Sequence, residues 1–287
     1  MKTKRIIAIF AVLLLAAAFF TACAPAQAAP ASGSPAAASS AAASGSAAPA
    51  ADVKTVTVGT GNAFKPYCYL DENGSLQGYE KAVLDAVNAK LPQYKFKYDT
   101  YDFKNILIGL EAKKLDLAAH QFEKNPEREA KYLYSAEPYT TFILRIVVKK
   151  DRNDIKSLDD LAGKKLKVAE GSNDAYVVGE WNKAHGNAIN VVVSSEDAAT
   201  TVKNIENGTY DAFISITRVV ADYNKTYGDL LKTVGEPIAT SSTYFIFRKD
   251  ETDLQANVDR VLKELKADGT LSKISTDILG ADYTTND

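Results

Sequence analysis

From Asp52 to Leu279 the spacing of apolar residues switches repeatedly between period two and helical period, and no other feature narrows the possible folds so far. Val53 to Val58 alternates apolar with polar residues, and Tyr79 to Leu91 has helical spacing. Tyr94 to Tyr98 returns to period two, Phe103 to Lys113 is helical, and Leu115 to Ala118 reads as a short buried strand. The same grammar recurs, with strands at Leu166 to Ala169, Ile189 to Val193 and Tyr210 to Ile214. Helices at Ala175 to Lys183, Asp197 to Ile205 and Arg218 to Tyr227 interleave with them. Such alternation predicts an α/β fold with mainly parallel strands, since each parallel pair needs a crossover that a helix supplies. A strand-like stretch at Ile146 gives way to polar residues 149–154; after Val234-Gly235-Glu236-Pro237 another strand runs through Thr243 to Phe247. Helices at Asp253 to Ala267 and Leu271 to Leu279 follow. Two crossings predict two lobes, 53–148 with 238–287 and 149–237, hinged around a ligand cleft.

Ahead of this domain, Lys2, Lys4 and Arg5 precede an unbroken apolar run from Ile6 to Phe20, and Phe20-Thr21-Ala22-Cys23 sets small residues before a cysteine. This reads as a lipoprotein signal peptide over residues 1–22 with Cys23 as the lipid acceptor. The alternative is a plain secretory peptide cleaved after a later alanine such as Ala24 or Ala29. The apolar run is short for a hydrocarbon core of ~30 Å, so it does not read as a membrane span. Ala24 to Ala51 is almost wholly Ala, Ser, Pro and Gly, with nothing to bury, and residues 23–52 read as a tether. The expected location is the extracytoplasmic face of the cell membrane, held there by lipid.

The chain has 34 basic and 36 acidic side chains, and losing Lys2, Lys4 and Arg5 with the leader moves the formal charge from -2 to -5. No basic patch for nucleic acid is visible. With Cys23 lipidated only Cys68 remains, so no internal disulfide forms and stability rests on a packed core. The only histidines are His120 and His185, and no metal-ligand spacing, His-Glu-x-x-His, Cys-x-x-Cys or Gly-x-Ser-x-Gly occurs. Gly59-Thr60-Gly61 lacks the third glycine of a dinucleotide fingerprint. No cofactor is expected.

Several short motifs stand in a fixed order: Leu76-Gln77-Gly78-Tyr79-Glu80, Phe103, Leu110 to Asp116, Asn125-Pro126-Glu127-Arg128 and Ser135-Ala136-Glu137-Pro138-Tyr139. Leu158 to Lys165, Glu170-Gly171-Ser172 and Gly208 to Ala212 follow. In order and spacing these resemble bacterial solute-binding family 3, the polar amino-acid binders of ABC importers, over Val53 to Tyr283. The stretch Ala119 to Arg128 looks most like the branch that binds cystine and related sulfur compounds. The resemblance implies a two-lobed, periplasmic-binding-protein-like (type II) fold, a small-molecule ligand, an ABC permease as membrane partner, and a monomer.

It also implies roles. A planar guanidinium offers a carboxylate two parallel donors, and the resemblance makes Arg128 the clamp for the ligand carboxylate. On spacing alone Arg128 reads instead as a surface arginine paired with Glu127 or Glu129. Glu123 matches a position whose backbone N–H helps hold that carboxylate. Ser172 and Asn173 lead into helical sequence, where free N–H groups complete the site or simply cap the helix. Phe64 and Phe103 match positions whose rings sandwich the ligand side chain; Phe103 reads equally as core. Tyr67, His120 and Gln121 are candidates for the same wall, and His120 also reads as a hydrogen-bonded core histidine. The chain departs from the family at Ile216, where an acid usually accepts the ligand ammonium. Either Asp174, Glu123 or another acid takes over, or the ligand lacks a conventional α-ammonium. Other classes are a dehydratase-like enzyme on the same scaffold, a sensory module sharing the cleft, and an adhesin with no cleft.

Overall fold

The structure is a computed structural model that describes residues 52–285; the leader, Cys23 and the tether lie outside the described residues. β1 (Lys54–Gly61) realises the alternation at Val53 to Val58, with Val56 and Val58 wholly buried. A small antiparallel sheet follows, of β2 (Ala63–Phe64), β3 (Cys68–Leu70) and β4 (Leu76–Gln77). α1 (Tyr79–Ala89) turns Tyr79, Val83, Leu84 and Val87 inward, as helical spacing requires, and leads to β5 (Tyr94–Tyr101). α2 (Phe103–Glu111) leads to β6 (Leu117–Glu123), and α3 (Pro126–Lys131) with β7 (Leu133–Tyr134) precedes β8 (Thr140–Lys149).

Past a 3-10 turn at Asp159–Leu161 the alternation resumes with β9 (Lys165–Ala169), α4 (Asn173–Ala184) and β10 (Asn190–Ser194). α5 (Ala198–Glu206), β11 (Ala212–Ser215) and α6 (Thr217–Tyr227) come next. β12 (Leu231–Phe247) carries the chain back, and α7 (Thr252–Ala267) and α8 (Thr270–Leu279) pack on α1.

The main sheet among the described residues runs β10-β9-β11-β8-β12-β6-β1-β5, with β7 also paired to β12. β1 is parallel to β5 and β6, and β9 is parallel to β10 and β11. The centre departs from the mainly parallel expectation: β8 pairs antiparallel with β11 and β12, and β12 with β6 and β7. The reason is connectivity. Helical crossovers build the parallel flanks, whereas β8 leaves the first half and β12 returns to it, so the two must run in opposite directions. The fold is accordingly two-lobed, one lobe on each flank.

A second departure lies in β12, which passes straight through Val234-Gly235-Glu236-Pro237 instead of starting after it. Its register against β8 shifts between Val234 and Ala239, opposite Arg145, and this bulge accommodates a proline that cannot donate to a regular ladder. Gly235 sits at φ 68 with the Lys156 carbonyl oxygen 1.9 Å from where a Cβ would stand, so only glycine fits. The core is dominated by fully buried aliphatic and aromatic side chains such as Val56, Leu84, Leu117, Ile146 and Phe245. Each contributes roughly 1.5–3 kcal/mol by leaving water.

Candidate functional site

Between the flanks lies a cavity of about 350 Å³, lined from one side by β2, α2, β6 and α3 and from the other by β9, α4, β10, α5 and β11. Arg128, Phe64, Phe103, Glu123, Gln121, His120, Ser172 and Asn173 all line it. Tyr67 does not; it is fully buried behind Phe64, with ring centroids 4.9 Å apart.

Arg128 is placed by its own helix. Asn125 caps α3, its side-chain oxygen accepting the Arg128 N–H at 2.9 Å, and Pro126 occupies the first turn. Arg128 is only 7% exposed, and its guanidinium lies 5.3 Å over the Phe122 ring. It donates to the Glu123 carbonyl at 3.0 Å and, across the cleft, to the Gly171 carbonyl at 2.8 Å. A surface arginine paired with Glu127 or Glu129 is thus not what the fold makes of it. Burial lowers its pKa, while Tyr134, Glu123 and Asp174 oppose the shift.

The aromatic wall is a stack. His120 lies parallel to Phe64 at 5.2 Å and tilted against Phe103 at 4.7 Å, and Phe103 continues onto Phe122 at 5.6 Å. His120 is half-buried, packed among these rings, and lines the cavity. Burial pushes its pKa down to about 4, so near neutral pH it presents an uncharged ring. The next residue, Gln121, has φ 50, a left-handed conformation unusual without glycine. Glu80 of α1 holds it there, accepting from the Gln121 N–H at 2.8 Å, the Gln121 amide at 2.9 Å and the Tyr139 hydroxyl at 2.9 Å.

Glu80 was not singled out as a site residue in the sequence, although a signal for it existed. It falls on the same helical face as Val83, Leu84 and Val87, where an acid has no reason to be unless something inside needs it. Its other oxygen has no hydrogen-bond partner among the described residues, and burial pushes its pKa up to about 7.

From the opposite lobe, Ser172 caps α4, accepting from the Ala175 N–H at 3.2 Å and donating to the Ala169 carbonyl at 2.6 Å. Asn173 accepts from the Asn125 amide across the cleft at 3.2 Å. Two acids reach the cavity near Arg128. Glu123 is buried, accepts the Ser241 hydroxyl, and has its pKa pushed up to about 7 by desolvation against that hydrogen bond. Asp174 is likewise raised by desolvation, opposed by Ser172 and Lys167. Ile216, by contrast, is 2% exposed, sits in the core at the start of α6 and does not line the cavity.

Contacts other than those of Arg128 and Asn173 also bridge the lobes. Lys104 pairs with Glu170 at 3.2 Å, and Arg218 of α6 donates to the Tyr67 hydroxyl and the Thr141 carbonyl while lying 4.4 Å over the Tyr283 ring. No local pattern marks Arg218 in the sequence, because its partners are 151 and 77 residues away.

The cleft carries charged and aromatic groups suited to holding a small charged molecule, and comparison with known proteins decides the class. Residues 56–281 match the family of bacterial extracellular solute-binding proteins, family 3. The chain belongs to this family. It is 40% identical over 230 residues to the L-cystine-binding protein TcyJ of Bacillus subtilis (strain 168), covering 80% of this chain and 86% of that protein. A solved structure of a putative L-cystine ABC transporter from Listeria monocytogenes is 41% identical with TM-score 0.77, covering 81% of this chain and 99% of the other. A chain solved for glutathione import via GshT and the cystine ABC importer TcyBC of Streptococcus mutans is 34% identical with TM-score 0.75, covering 81% and 98%. This family 3 member is therefore an extracytoplasmic solute-binding protein and not an enzyme, so the dehydratase alternative is set aside. No helix among the described residues is long and apolar enough to cross a membrane.

Proposed function

We propose that the chain is the substrate-binding component of an ABC importer, capturing a polar amino acid, with cystine or a related sulfur amino acid as its ligand, and handing it to a membrane permease. The observation that carries this reading is Arg128, buried on the cavity wall with its guanidinium aimed between the lobes and the α4 N-terminus opposite. The ligand carboxylate takes Arg128, with the Glu123 peptide and the start of α4 completing its shell. Glu123 and Asp174 stand in for the acid absent at Ile216 and receive the ammonium. Phe64, His120 and Phe103 face the side chain.

Lobe 1 comprises 53–148 with 238–287 and lobe 2 comprises 149–237, and they close about β8 and the β12 bulge. The protein works as a monomer, anchored through a lipid on Cys23 that raises its effective concentration at the permease. A thermal-shift screen of the full chain against cystine, other amino acids and amine-free carboxylates tests the ligand class, because a ligand of the folded state raises Tm. Hits restricted to amine-free carboxylates overturn the amino-acid reading. Arg128→Ala is expected to weaken the hit ligand by ~2–5 kcal/mol in calorimetry, and a change under about 0.5 kcal/mol removes the clamp. Cys23→Ser is expected to move the protein from the membrane fraction to the soluble fraction, and full membrane retention excludes the anchor.

A further inference from the structure

The cavity continues past Arg128 into the second lobe, and its wall there holds a lysine that the binding scheme above does not use. β9 sends Leu166 and Val168 into the core, so Lys167 between them points to the opposite face, where it lines the cavity. Its strand neighbours are Val192 on β10 and Phe213 on β11, and Phe213 shares the cavity wall. Among the described residues the Lys167 ammonium makes no hydrogen bond and no ion pair within 4.0 Å.

The acids that face it are already engaged. Glu196 accepts from the Thr201 hydroxyl at 3.0 Å, the Asn204 amide at 3.1 Å and the Tyr210 hydroxyl at 3.1 Å. Asp174 is held at the α4 N-terminus by Ser172 and by the Ala169 N–H at 3.4 Å. Both act on Lys167 only through space. Desolvation lowers the Lys167 pKa and these two carboxylates oppose the shift. An ammonium withdrawn from water without a hydrogen-bonded partner is unfavourable, and a ligand that closes the cavity without supplying an anion makes it more so.

We propose that Lys167 anchors a second carboxylate of the ligand, so that the cavity selects amino acids that carry a carboxylate at each end, one on Arg128 and the other on Lys167. This rests on the amino-acid reading above and narrows it to two-headed solutes. The two cations stand on different lobes, so such a solute bridges them, and the uncharged wall of Phe64, Phe103 and Phe213 suits an apolar linker.

Calorimetry on the full chain with two probes tests this: cystine, and the mixed disulfide of cysteine with cysteamine, which is cystine lacking one carboxylate. Wild type is expected to bind cystine about 30-fold tighter than the mixed disulfide, the fold-change of one charge-assisted pair. Lys167→Met is expected to lose that preference, binding cystine about 30-fold more weakly and the mixed disulfide as wild type does. Lys167→Arg keeps the charge and is expected to retain most of the preference, and the ligand-free Tm of both variants verifies folding. If wild type binds cystine and Lys167→Met binds it within about twofold, the role of Lys167 is overturned while the amino-acid reading stands. If wild type binds neither probe, the sulfur amino-acid reading falls and this inference with it.

Discussion

Glu80 and Arg128 illustrate how single residues build this site from opposite ends of the chemistry. Arg128 is a donor kept charged in a buried place, and its position follows from the local Asn125 cap of α3. Glu80 is an acceptor that holds Gln121, 41 residues away, in a left-handed conformation, and no local pattern reveals that pairing. Its carboxyl has a pKa of about 7 against an ordinary 4.5, so the folded chain binds a proton that the unfolded chain releases. The resulting stability is fully present below about pH 4.5 and is lost as pH rises through about 7, a change of ~3 kcal/mol at ~1.4 kcal/mol per unit. Glu80→Gln is expected to flatten the fall of Tm between about pH 5 and pH 7.5, leaving the part due to Glu123. An unchanged slope would mean that Glu80 is ionised throughout.

Among the elements, those whose faces are set by burial alone match the sequence reading closely: α1 at Tyr79–Ala89 and α7 at Thr252–Ala267. Those that serve the site or the crossings extend beyond what periodicity indicates. β6 continues past Ala118 to Glu123 because His120 and Gln121 are placed by the cavity and by Glu80, not by alternating hydrophobicity. β8 begins at Thr140, and β12 extends through Pro237, because each finds the other as partner, and pairing between distant strands leaves little trace in local periodicity. The bulge supplies a test. Gly235→Ala sets a methyl against the Lys156 backbone in a left-handed conformation and is expected to cost ~2–4 kcal/mol, read as a drop in Tm. Gly171→Ala, with φ 73 but nothing within 4 Å of its Cβ, is expected to cost only ~1–2 kcal/mol. Equal losses would mean that the Lys156 contact does not matter.

At the scale of the whole molecule, the lobes are held together by few groups, and Arg218 is the most embedded of those outside the cavity. The Lys104–Glu170 pair is half-exposed and contributes little, whereas Arg218 is enclosed by Tyr67, Phe142 and Tyr283 and hydrogen-bonds across the cleft. Arg218→Ala is expected to shift the ligand-free protein toward an open form, seen as a larger radius of gyration in X-ray scattering, and to weaken ligand binding about tenfold. An unchanged radius and affinity would remove its role in closure. The sequence by itself determined the α/β class and, through ordered motifs, the family and much of the cavity wall, because local periodicity and capping act within a few residues. Only the tertiary structure decided the antiparallel centre of the sheet, the core placement of Ile216, the meeting of Glu80 with Gln121, the Arg218 contacts across the cleft and the lone ammonium of Lys167. These depend on which distant groups folding brings together out of water, and the strength of a charge or hydrogen bond is fixed by that enclosure rather than by the residues on either side of it.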